Sequence, residues 1–104
     1  LIEICIRDDG ITVMGHSGYA PPGQDIVCAA ISVLTDTLVT ALADEGCAAD
    51  LQLAAGYADV RIDNLSRRGK HFIEFFARGA QRVEEAYPNY VHVDEKGGIE
   101  TNGI

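Results

Sequence analysis

The sequence lacks any run of about 18 uninterrupted apolar residues, the length a membrane span requires. Its first residues also lack the basic start and apolar stretch of a secretory signal. Instead Ile2, Ile4 and Ile6 alternate with Glu3, Cys5 and Arg7. These absences predict a soluble, cytoplasmic protein with no membrane partner. Three cysteines, Cys5, Cys28 and Cys47, are odd in number and contain no Cys-x-x-Cys pair, which argues against a disulfide framework and for a reducing compartment. The histidines, His16, His71 and His92, are scattered, so neither a metal site nor a cofactor is expected. Basic residues are scarce where a nucleic-acid binder would need them. Residues 1–60 hold nine acids and a single base, Arg7, whereas residues 61–104 hold seven of each, for a net charge of −8. The one basic cluster, Arg67, Arg68 and Lys70, is short and flanked by Asp63 and Glu74, so no direct nucleic-acid contact is expected. An acidic surface suits a cationic partner.

What remains is the composition of a folded domain. Apolar residues make up 47% and charged residues 23% of 104 residues, and a chain of this size buries roughly 60–70% of its unfolded surface. The opening alternation predicts a strand with one buried face. Asp8, Asp9 and Gly10 follow, with Asp9-Gly10 suited to a two-residue hairpin loop that sets Ile6 opposite Val13. Residues 17–24 are rich in glycine and proline. Asp25 is a good helix N-cap, and Val27, Ile31, Leu34, Leu38 and Leu42 then recur at helical spacing up to a stop at Gly46. Leu51 and Leu53, then Val60 and Ile62, predict two strands or one bent strand around Ala55-Gly56. A second helix is expected over 69–87, with Phe72, Phe76, Ala80, Val83 and Tyr87 on one stripe and Pro88 closing it. Arg67, Arg68 and Lys70 suit the positive end of a helix dipole poorly and argue for a late start. Val91 and Val93 mark a last strand. The expected order is ββαββαβ, an α/β two-layer sandwich on a mixed sheet, with residues 1–94 as one domain and 95–104 as a flexible tail.

One segment has the makings of a site. Residues 17–24 join a strand end to a helix start, with His16 before them and Cys28 at the third helical position. A thiolate in a helix's first turn is stabilised by unpaired N–H groups and by the dipole. An imidazole close by can accept the thiol proton and return it to a leaving amine. The N–H groups of that first turn, Cys28's own among them, are candidates to hold an oxyanion. Other thiol chemistries fail on spacing. A phosphatase loop needs arginine where Leu34 stands, and a redox pair needs cysteine where Ile31 stands. The bland reading makes Cys28 a small packed hydrophobe in a non-enzymatic binding module, and a thiol hydrolase acting on an ester is a third possibility. Cys5 and Cys47, with no histidine near them in sequence, read as structural.

The run Gly15-His16-Ser17-Gly18-Tyr19-Ala20-Pro21-Pro22-Gly23-Gln24-Asp25-Ile26-Val27-Cys28-Ala29-Ala30-Ile31-Ser32 resembles the signature of the ribosomal-processing cysteine protease family, Prp. That signature is Gly-His, a small residue, a variable loop, Gly-x-Asp-Ile-Val-Cys-Ala and a serine four residues after the cysteine. The resemblance extends more loosely over residues 1–94. It implies a small homodimeric α/β protease that removes the N-terminal extension of a bacterial large-subunit ribosomal protein, cutting after paired phenylalanines and before alanine. It places the nucleophile on Cys28 and the general base on His16, with Asp25 and Ser32 in support. Gly15, Ser17, Gly18, Tyr19, Pro21, Pro22 and Gly23 become the substrate loop, expected to move over a bound peptide on hinges at glycines 15, 18 and 23.

Overall fold

The computed structural model describes residues 1–95. Its elements are β1 (Ile2–Arg7), β2 (Gly10–Met14), α1 (Ile26–Asp44), β3 (Ala48–Ala54), β4 (Tyr57–Ile62), α2 (Arg67–Ala86) and β5 (Val91–Glu95). This is the expected order. The strands form one sheet, β3-β4-β2-β1-β5, antiparallel except where β5 runs parallel to β1. Both helices cover the same face, because the isoleucines that alternate along β1 all point there. Ile2, Ile4, Ile6, Ile11, Val60 and Val91 meet Val27, Ile31, Leu38 and Leu42 of α1 and Ile73, Phe76 and Ala80 of α2 in one core. The opposite face carries Glu3, Cys5, Thr12 and Asp59, none of them buried.

The β1–β2 register departs from the expected one. Arg7 pairs with Gly10 and Ile6 with Ile11, so the loop is Asp8 and Asp9, and Ile4 is the partner of Val13. Gly10 is a strand residue for a reason outside the hairpin: a side-chain carbon there would lie 2.9 Å from Val60 O of β4. The register moves by two residues, so every isoleucine keeps its face.

Asp25 caps α1, as expected, and Glu45 and Gly46 end it, Gly46 at φ 75°. With 19 residues, α1 is long and apolar enough to cross a bilayer; here its apolar face is built into the core. The second helix begins earlier than the charges implied. Ser66 caps it by accepting from Gly69 N–H at 2.9 Å. Arg68 is answered by Glu45 at the end of α1, 3.5 Å away, and Glu45 also accepts from the Ser66 hydroxyl at 3.0 Å. An acid remote in sequence therefore offsets the unfavourable dipole. Gly79 lets the helices approach, since a methyl there would press within 3.0 Å of Leu34 Cδ2. β5 takes in Glu95, and the remainder of the expected tail lies outside the described residues.

Candidate active site

β2 ends at Met14, and the chain leaves it through Gly15 at φ 99°, whose N–H donates to Gly56 O in the β3–β4 turn at 2.8 Å. This bond lays His16 on that turn. A side-chain carbon on Gly56, itself at φ 71°, would stand 2.6 Å from His16 Nε2, so only glycine leaves room for the ring. Among the described residues the imidazole has no hydrogen-bond partner and no ion pair, and it is exposed.

Asp25 organises the other side. Its Oδ1 accepts from Val27 N–H at 3.0 Å and Cys28 N–H at 2.9 Å. Its Oδ2 accepts from the Ser17 hydroxyl and from the N–H groups of Tyr19 and Ala20, both at 3.2 Å. Desolvation pushes this carboxyl up, but the Ser17 hydroxyl and the N–H groups of Cys28, Ala20 and Val27 outweigh it and hold the group at about 2, against an ordinary 3.8. One carboxylate thus fastens the loop and the first turn of α1 together.

These bonds correct one expectation. The N–H groups of Val27 and Cys28 are committed to Asp25, and that of Ala29 donates to Asp25 O at 3.1 Å, so they are not free to hold an oxyanion. Ser32, one turn beyond Cys28, has a hydroxyl with no hydrogen-bond partner among the described residues, and it faces the same space.

Cys28 sits half-buried at the third position of α1. Its sulfur accepts from Ser17 N–H at 3.4 Å, and its thiol donates to Ser17 Oγ at 3.6 Å. His16, Cys28 and Ser32 together line two cavities. One, of about 370 Å³, runs toward the β3–β4 hairpin past Val13, Leu53, Gly56 and Tyr57. The other, of about 600 Å³, is walled by Gly18, Ala20, Pro22, Gly23 and Ala29 of the loop and first turn. Gly18 and Gly23 hold positive φ at 73° and 85°. Tyr19 points the other way, edge-on to Tyr87 and Tyr90 with ring centres 5.3 Å apart in each pair, and Pro21 O accepts from Gln24 N–H at 2.9 Å.

The structure therefore brings Cys28, His16, Asp25 and Ser32 to one place. It separates the remaining candidates. Cys5 lies on the open face of the sheet, where Arg7 Nη1 donates to its sulfur at 3.2 Å. Cys47 is wholly buried, and His71 and His92 are exposed elsewhere, His92 beside Glu84 at 3.4 Å. No group able to hold a metal ion occurs among the described residues. Gly56 is the contributor that sequence reasoning missed, and Ser17, expected only in the substrate loop, turns out to contact Asp25 and Cys28. Ser17 read only as part of the substrate loop and Gly56 only as a turn former, because each acts on a residue brought to it by the fold.

Comparison with solved structures places this fold beside a ribosomal processing protease Prp from Staphylococcus aureus in complex with a covalently linked product peptide. That match has a TM-score of 0.77 and 21% identity, and it covers 91% of this chain and 97% of that one. The protein SMU.848 from Streptococcus mutans matches with a TM-score of 0.73 and 26% identity over 93% of each chain. A search of curated protein sequences gave no significant match. The family model for the cysteine protease Prp matches residues 2–92. That match spans nearly the whole described chain, so this protein is a cysteine protease, a member of the Prp family.

Proposed function

We propose that residues 1–94 act as a single protease domain in which Cys28 is the nucleophile and His16 the general base. One observation carries this reading: the Cys28 sulfur lies in the first turn of α1 on two cavities, and His16 lines both of them. The thiol passes its proton to His16, and the thiolate adds to the scissile carbonyl. Ser32, whose hydroxyl has no partner among the described residues, donates to the oxyanion. The imidazolium then gives its proton to the departing amine, and water drawn on by His16 releases the acyl group from sulfur. Asp25 fixes the nucleophile's turn and remains ionised throughout.

The substrate in this reading is the N-terminal extension of a large-subunit ribosomal protein, cut after paired phenylalanines and before alanine, in the cytoplasm and by a homodimer. Its supports are the family, the ribosomal processing protease and bound peptide of the Staphylococcus aureus structure, and the acidic first sixty residues, which suit a basic substrate. The test is cleavage of a peptide containing Phe-Phe-Ala by the parent, Cys28→Ala and His16→Ala. Cleavage by the parent and its loss in both variants is expected; turnover retained by Cys28→Ala overturns the assignment.

A further inference from the structure

Ser17 reads in the sequence as one more small loop residue, yet it is 3% exposed and turned toward the nucleophile instead of solvent. Its hydroxyl donates to Asp25 Oδ2, accepts from Tyr19 N–H at 3.1 Å and accepts from the Cys28 thiol at 3.6 Å. Its backbone N–H donates to the same sulfur at 3.4 Å. A hydroxyl has one proton to give. Asp25 takes it, so only lone pairs of Oγ face the sulfur: they can accept from S–H but have nothing to offer a thiolate.

Resting on the assignment of Cys28 as nucleophile, we propose that Ser17 is its positioning residue, directing the resting S–H bond to Oγ and keeping an N–H on the sulfur once the proton has gone. In the activation step the S–H bond breaks and an N–H bond forms on the His16 imidazole. The electron pair stays on sulfur. The contact with Oγ is lost, and the one from Ser17 N–H becomes a hydrogen bond to an anion, the stronger kind. Ser17 thereby makes the thiol's proton something His16 must compete for.

The test is the rate of Cys28 alkylation by iodoacetamide across pH, followed by mass spectrometry, in the parent, Ser17→Ala and Ser17→Gly. The thiolate is the reacting form. Without the acceptor, the rate near neutral pH rises about threefold to tenfold, the weight of one hydrogen bond. At strongly alkaline pH, where the sulfur is ionised in every variant, the rate does not change. A loop that is merely loosened raises the rate by one factor at all pH values. The other titratable groups around the sulfur, His16 after β2, Asp25 and Asp36 of the α1 segment and Tyr57 of β4, are the same in all three proteins. A profile of parental shape in both variants overturns the proposal. Buried Cys47 gauges folding in the same spectra, since it labels only if the variant opens. A measurement on the parent alone stands beside it: the S–H stretching band lost in Cys28→Ala lies at the lowered frequency of a hydrogen-bonded thiol, and a band at the free-thiol position refutes the contact. Neither readout needs peptide turnover. A shifted profile in a protein that does not cleave the Phe-Phe-Ala peptide leaves Ser17 standing and removes the proposed substrate, and the converse pair of results does the reverse.

Discussion

Two of the three cysteines lie against the first turn of a helix beside a serine hydroxyl, and they share little else. Cys28 lies in the first turn of α1, 3.6 Å from Ser17 Oγ. Cys47 packs against the first turn of α2, 3.6 Å from the capping Ser66 Oγ. At α2 the space is closed: Cys47 is 0% exposed, and a methyl on Gly69 would meet its sulfur at 3.0 Å. At α1 Cys28 lines two cavities, both of which His16 lines as well. A dipole and a hydroxyl do not make a nucleophile. Access differs, and glycines have a part in it: Gly69 lets a helix seal one sulfur, and Gly56 leaves room for the imidazole that lines the same cavities as Cys28.

The contrast is sharpest in labelling and turnover. Cys28 in the folded protein should react with iodoacetamide about a thousandfold faster than Cys47, which reacts only when the structure opens; equal rates would erase the distinction. Next in size is Gly56→Ala, which places a carbon 2.6 Å from His16 Nε2 and strains a residue at φ 71°. Peptide-cleavage kcat/KM should fall about tenfold to a hundredfold, and a melting curve should show a stability loss of only about 1 kcal/mol. Gly69→Ala is its mirror. It overpacks Cys47, Leu65 and Ser66 and should cost about 1–3 kcal/mol by denaturant unfolding, with kcat/KM of the folded fraction unchanged. The caps give a smaller effect of definite sign. Because the Asp25 carboxyl is lowered in the folded state, its stabilisation is complete above the ordinary 3.8 and is lost as pH falls through about 2. Melting curves across that range should show this increment in the parent and not in Asp25→Asn, whereas Ser66 contributes no such titration at α2. Smallest is salt: cleavage of a basic peptide should weaken modestly as ionic strength rises, and an unchanged kcat/KM would remove electrostatic steering.

Local signals explain what the sequence disclosed. The element order, the Asp25 cap, the Ala55-Gly56 turn and the position of Cys28 all follow from periodicity and capping within a few residues. The departures have remote causes. Gly10 is fixed by Val60 O of another strand, so the hairpin turn falls on Asp8 and Asp9. The start of α2 is fixed by Glu45, some twenty positions earlier. The site divides in the same way. Cys28, His16, Asp25 and Ser32 carry the family resemblance, but the partners of Ser17 and the seat of His16 exist only once the loop, the α1 cap and the β3–β4 turn have come together.

The support under His16 is steric. The ring rests on a backbone turn and has no acid or amide behind it among the described residues, so its orientation depends on the rigidity of a hairpin and not on charge. For anyone wishing to engineer a faster catalyst, that leaves a concrete opening. Ala55, next to the glycine that bears the ring and lining the same cavity, is where a grafted carboxylate would give the proposed dyad a third member.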